Sequence, residues 1–213
     1  AVRRAGAPAP PVRTDAERAE APFSTLGYIG QARGLFLLFE DDDDLVVLDQ
    51  HAAHERVTFE RLRAELERGR VRSQRLLVPH QVDLGPAEAE RVAGLAERLG
   101  RLGLEIARSG PDRVAVHAVP AELADASPDR LLAETVIALE EGRDGSRGES
   151  DEHALATMAC HGSIRGGRRV ATEEVRALLE AMDRTRNAGH CPHGRPVLAR
   201  IPWSEIRRRV GRG

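Results

Sequence analysis

Asp49-Gln50-His51-Ala52-Ala53-His54-Glu55 is the stretch on which the reading of this chain turns. Before it, Leu35 to Phe39 and Leu45 to Leu48 are short apolar runs separated by the acids Asp41 to Asp44. Consecutive acids are poor in strands and good in turns, so this pattern predicts a β-hairpin rather than a cation site. After it, Val57, Leu62 and Leu66 recur at near-helical spacing, which predicts a helix over 52–68 ended by Gly69. The heptapeptide is therefore a strand-to-helix junction. Residues four apart on a helix share a face, so His51 and Glu55 can reach one cation while Asp49 approaches from the strand end. Imidazole plus carboxylate suits zinc or manganese. On its own the stretch is weak evidence for a cation and better fits a charged, capped helix start.

Two other segments carry soft ligands. Cys191-Pro192-His193-Gly194 sets a thiol and an imidazole two residues apart in a loop that proline stiffens and glycine lets turn. Thiolate points to zinc rather than magnesium. Cys160, followed by His161, could complete the cluster, or could be a small buried hydrophobe. A structural disulfide between these cysteines does not suit a reducing compartment, and the chain reads as cytoplasmic.

Further outward, the pattern predicts a short strand at Leu76 to Val78 stopped by Pro79 and one amphipathic helix over 87–102. A hairpin of 104–106 with 114–119 follows, then a helix from Ser127-Pro128 to about Glu141. Gly142 to Asp151 reads as a polar loop, and 153–164 as a helix ending at Gly166-Gly167. Thr172-Glu173-Glu174 reads as a near capping box opening a helix to about Met182. A strand over 197–201 and a short helix over 204–210 close the chain. The order implies an α/β (α+β) fold of two lobes, the first and last thirds forming one and the middle third the other.

Composition bounds the partners. A chain of 213 residues with 41% hydrophobic and 31% charged residues can form one sizeable domain or two small lobes. No apolar run approaches the roughly 20 residues of a membrane span. The start shows no signal peptide and no initiator Met, so a fragment of something longer is expected. Residues 1–21, with Pro8, Pro10 and Pro11 and almost no large apolar side chain, read as the end of a disordered linker. The net charge of −2 argues against strong unaided nucleic-acid binding. All 32 basic residues are arginine, and those of the tail (Arg200, Arg207, Arg208, Arg209, Arg212) form either a solvated face or a phosphate contact.

The motifs together resemble the C-terminal domain of the MutL family of bacterial mismatch-repair proteins. Asp49 to Glu55, with Glu60 after four more residues, matches the family's nuclease motif DQHAxxExxxxE at every fixed position. Cys191-Pro192-His193-Gly194-Arg195-Pro196 matches its CPHGRP block, and Ala159-Cys160-His161-Gly162-Ser163-Ile164-Arg165 resembles the block carrying its ligand cysteine. The resemblance covers about residues 23–213. It implies a zinc- and/or manganese-dependent endonuclease, with magnesium as a further candidate, that nicks duplex DNA. His51, Glu55, Cys160, Cys191 and His193 would be metal ligands, with Asp49 and Glu55 catalytic. Glu60 sits about 140° round the helix from Glu55 and would support the site from outside the ligand set. Gln50 and Arg195 would also be supporting, Arg195 as a brace or a phosphate contact.

The resemblance further implies a homodimer formed by 22–73 with 152–213, around an inserted regulatory lobe of 74–151. Expected partners are the sliding clamp, the mismatch-recognition protein MutS and an N-terminal ATPase domain, at the nucleoid and away from membranes. Gln74-Arg75-Leu76-Leu77-Val78-Pro79 resembles the clamp-binding segment, in which Gln74 would anchor at the rim, Leu76 and Val78 would fill an apolar groove and Pro79 would close the segment. Its plainer reading is a partly buried strand ended by proline. A non-catalytic dimerisation and clamp-docking module with a structural zinc is the competing interpretation of the whole chain.

Overall fold

Residues 21–141, 147–162 and 169–212 are described in the computed structural model. In chain order they form β1 (Gly27–Ala32), β2 (Phe36–Glu40), β3 (Asp44–Asp49), α1 (Gln50–Glu67), β4 (Ser73–Asp83), α2 (Pro86–Ala93) and α3 (Ala96–Arg101). These are followed by β5 (Glu105–Arg108), β6 (Arg113–Pro120), α4 (Pro128–Glu141), α5 (Arg147–Gly162), α6 (Thr172–Asp183), β7 (Leu198–Pro202) and α7 (Trp203–Arg209). Among them the strands make two antiparallel sheets, β1-β2-β3-β7 and β4-β6-β5, so the fold is α+β as the order of elements implied. No described helix is long and apolar enough to cross a membrane.

The first sheet grows from the predicted hairpin. The acid run makes its turn: Asp41 Oδ1 accepts the backbone N–H groups of Asp43 and Asp44 at 3.0 and 2.8 Å. An aspartate closing its own turn in this way leaves no reason to assign the run to a cation. Leu37 then faces Leu48, and Phe39 faces Val46, across β2 and β3. These four side chains are fully buried and pack with Ala53 and Val57 of α1 and Val175, Leu178, Leu179 and Met182 of α6. The alternating residues Phe36, Leu38, Leu45, Val47 and Ile201 lie on the opposite face, half-buried and outside both described cores.

The second core gathers the β4-β6-β5 sheet with α4 and α5, including Leu104, Val114, Val116, Leu131, Leu139, Leu155 and Met158. Phe59 and Leu62 of α1 join this core, whereas Ala53 and Val57 join the first. One helix therefore bridges both cores, with the motif at its first-core end. The cores do not follow sequence thirds, because α5 follows the insertion in the chain yet packs into the second core.

Several elements differ from the sequence reading for identifiable reasons. The single helix expected over 87–102 is two, with Gly94 capping α2 before α3 begins at Ala96; glycine in a helix interior costs about 1 kcal/mol and favours such a break. The loop expected over 142–151 is helical from Arg147, where α5 begins. The Thr172 cap is displaced by one residue: Ala171 is the N-cap, and Glu174 accepts its N–H at 2.9 Å, leaving only half of a capping box. Pro79 does not stop β4, which runs through it. Register with β6 passes from Arg75–Ala118 to His80–Val116, so residues 76–79 bulge from the ladder. An edge strand with a bulge tolerates a proline that has no N–H to donate. The expected helix end at Ser163, Ile164 and Gly166-Gly167 lies outside the described residues, as do residues 1–20.

Candidate metal centre

Three distant segments converge at Glu55. Asp49 ends β3 and caps α1, its Oδ1 accepting the N–H of Ala52 at 3.0 Å, which starts the helix at Gln50. One turn further, Glu55 is 6% exposed. Cys160, near the end of α5, donates its thiol to Glu55 Oε1 at 2.8 Å, and His193 Nδ1 stands 3.0 Å from the same oxygen. The donor atoms of Glu55, Cys160 and His193 all lie within 4.8 Å of one another. Oxygen, sulfur and imidazole nitrogen at that spacing are a donor set zinc accepts, so these residues fit a cation of that type.

The loop carrying His193 is built by its own backbone. Cys191 N–H donates to the Arg195 carbonyl at 2.8 Å, and Gly194 N–H donates to the Cys191 carbonyl at 2.9 Å. Gly194 sits at φ 80°, a left-handed conformation that glycine adopts without strain. Its stem is stitched to the end of β3 by Asp49 N–H on the Val197 carbonyl at 2.8 Å. Residues more than a hundred positions apart are thus registered by backbone bonds.

Electrostatics keep the metal-free thiol neutral. Burial, followed by the hydrogen bond and negative charge of Glu55, pushes the Cys160 thiol up to about 12. Cys191 and Glu134 add smaller contributions in the same direction. His161, the next residue, pairs with Glu134 rather than with the Glu55 group.

The remaining candidates spread around this centre. His51 is exposed in the first turn of α1, and Cys191 is 4% exposed beneath the loop; neither belongs to the close three-residue group. Gln50, also buried, accepts from Gln31 Nε2 at 2.9 Å and so ties α1 to β1. Glu60 accepts from Arg56 Nη1 at 2.9 Å. The Arg195 side chain is exposed and has no hydrogen bond or ion pair among the described residues. On β4, Leu76 packs inward on the second core. Gln74 and Pro79 are exposed, Val78 is 74% exposed and Leu77 wholly so.

Arg56 is the residue the sequence reading overlooked. It is buried beside Glu55 and holds the ligand loop through two carbonyls. The signal was available: an arginine within the motif, four residues before an acid, is a helical ion pair.

The centre is open. His193 is 42% exposed, and a cavity of about 840 Å³ lined by Phe23, Met182, Ala188 and Leu198 touches none of the three ligand candidates.

Comparison with known proteins agrees with this architecture. Residues 29–170 match the family model described as the MutL C terminal dimerisation domain. The DNA mismatch repair protein MutL of Caulobacter vibrioides is 41% identical over 205 residues, covering 93% of this chain and 32% of the relative. Those of Xanthomonas axonopodis pv. citri and Phenylobacterium zucineum are each 42% identical, over 88% and 85% of this chain and 30% and 29% of their own lengths. The chain thus spans about a third of the curated relatives it matches. Taken together with the two-sheet fold, the matched span shows that this chain belongs to the MutL C-terminal dimerisation domain family.

Proposed function

We propose that this chain is the metal-dependent nicking domain of a mismatch-repair protein, cutting one strand of duplex DNA, and that it pairs with a second copy of itself. The observation that carries the proposal is the convergence of Glu55, Cys160 and His193 from three separate segments onto one open point. Three donors in the close group, one fewer than closes a structural zinc, favour a catalytic site. A bound divalent cation would supply phosphate neutralisation and a water acidic enough to attack at neutral pH.

The chain's own residues supply the rest. Glu55, Cys160 and His193 would hold zinc or manganese, and His51 and Cys191, outside that close group, would serve a second ion. Asp49 spends Oδ1 on the Ala52 N–H and keeps its other oxygen for the metal or its water. Gln50 locks the helix start to β1.

Pairing of two copies falls to the outer face of the first sheet. Phe36, Leu38, Leu45, Val47 and Ile201 offer it an apolar surface, and Ile29 is 50% exposed beside them. A self-complementary patch of this kind suits a two-fold dimer. The second core, with its β4 edge, would form the regulatory lobe. Val78 and Pro79 on the bulge, joined by the exposed Leu77 and by Gln74 in the ladder just before it, would dock on the sliding clamp by adding an extended segment, with Leu76 anchoring the bulge to the core. The net charge of −2 makes recruitment by the clamp or by a mismatch-recognition protein the route to DNA.

A second interpretation is a structural zinc in a docking module, which the semi-buried Cys160 and buried Cys191 favour. The two separate cleanly. Purified chain with manganese should nick supercoiled plasmid, and Asp49→Asn should abolish nicking with an unchanged melting temperature. A wild type that holds zinc but never nicks establishes the structural alternative.

A further inference from the structure

A buried guanidinium stands between the helix that carries Glu55 and the loop that carries His193. Arg56 Nε donates to the His190 carbonyl at 2.6 Å, and Nη2 donates to the Cys191 carbonyl at 3.0 Å. The third nitrogen, Nη1, donates to Glu60 Oε1 at 2.9 Å. The Arg56 side chain is 10% exposed, and its guanidinium carbon lies 5.5 Å from the centre of the Phe59 ring. Every nitrogen is used, and none of them touches Glu55, Cys160 or His193.

A charge taken this far out of water is costly unless paired and hydrogen-bonded. Glu60 supplies the pairing, and the two carbonyls supply the bonds. The planar fork matches two successive carbonyl oxygens in one fixed pose, which the single ammonium of lysine cannot reproduce. The carbonyls belong to the residues immediately before Pro192-His193, so the fork fixes how far the imidazole sits from the carboxylate one residue away on α1.

We infer that Arg56, oriented by Glu60, is the positioning residue of the metal centre: it sets the separation of Glu55 and His193 and thereby the affinity for the cation. This also gives Glu60 a part in the motif without contact to metal. Groups that orient ligands from behind are worth about 10–100-fold in metal affinity when removed. The inference rests on the metal-site reading proposed above.

The test is zinc affinity of the metal-stripped chain, measured by competition with a chromophoric chelator, alongside the melting temperature of the metal-free form. Arg56→Lys should weaken zinc binding about 10–100-fold, and Glu60→Gln, which keeps an accepting oxygen, by less but by at least about threefold. Leu104→Ala, a fully buried change in the second core away from the loop, serves as the control for lost stability. It should lower the melting temperature and leave zinc affinity at the wild-type value. Should Arg56→Lys fail to fold, Glu60→Gln carries the test alone. Unchanged affinity in the folded variants overturns the inference, as does a loss in Leu104→Ala that matches its fall in melting temperature. A wild type that binds no zinc removes the site and this inference together, whereas a wild type that binds, with variants that bind equally, removes this inference alone.

Discussion

Loading the centre with zinc should expel a proton from Cys160. The thiol donates to Glu55 at 2.8 Å, and burial and that carboxylate push it up to about 12. Thiolate is the form that binds metal, so binding must strip this proton. At neutral pH that raised value sets a cost of deprotonation against zinc binding. Structural zinc binds small peptides with roughly 10–16 kcal/mol at neutral pH with the loss of their thiol protons included, so the cation prevails, but more weakly than at a preionised thiolate. The sign follows directly: protons compete with zinc at Cys160, and affinity rises about tenfold per pH unit between roughly pH 7 and 9. Calorimetric titration in buffers of different ionisation enthalpy counts the protons released. Cys160→Ser should release one proton fewer than wild type and bind more weakly. Equal proton release by wild type and Cys160→Ser, with the same pH dependence, refutes thiolate ligation.

The metal-free protein should in turn lose stability in alkali. The folded thiol titrates near 12 against an ordinary value of 9.0, so the contribution of the neutral thiol is complete below about pH 9 and fades as pH rises towards 12; a chelator-treated chain whose urea midpoint is flat over that window contradicts this. Val47→Asp, on the outer sheet face, should convert a dimer to a folded monomer in sedimentation while leaving the far-ultraviolet spectrum intact, and a persistent dimer would place the interface elsewhere. Leu77→Ala with Val78→Ala should abolish clamp binding in a pull-down at unchanged melting temperature, because Leu77 is wholly exposed and Val78 74% exposed. Leu62→Ala, fully buried where α1 meets the second core, should cost about 2–5 kcal/mol in denaturant unfolding. A cost below about 1 kcal/mol would mean that the bridge between the cores carries little.

The strand-to-helix junction was legible because local chemistry determines it. Alternating apolar residues gave β2 and β3, and Asp49 gave the cap. The acid run was read correctly as a turn, since Asp41 closes that turn itself. The halves of the centre could be joined from sequence only through the family resemblance, not through local chemistry. Nothing local says that the Gly189–Val197 loop is stitched to the end of β3, or that α5 brings Cys160 to Glu55. Where the reading missed, tertiary context or a single residue decided. Gly94 split a helix that periodicity made continuous. Pro79 was tolerated because β4 is an edge strand and bulges there. The split between Leu76 and Leu77 could not be seen either, because a bulge breaks the two-residue alternation that assigns faces. The i,i+4 pair with Glu60 was legible for Arg56, but its hold on two backbone carbonyls 134 and 135 residues away was not, since no spacing rule reveals it.

The most direct measurement pairs metal content with plasmid nicking, in wild type and in Glu55→Ala. Glu55 is the oxygen donor on which Cys160 and His193 converge, at 2.8 and 3.0 Å. The account predicts that wild type, loaded with zinc and assayed with manganese, converts supercoiled plasmid to the open circle, and that Glu55→Ala folds but neither retains zinc nor nicks. A Glu55→Ala protein that still nicks like wild type would contradict it.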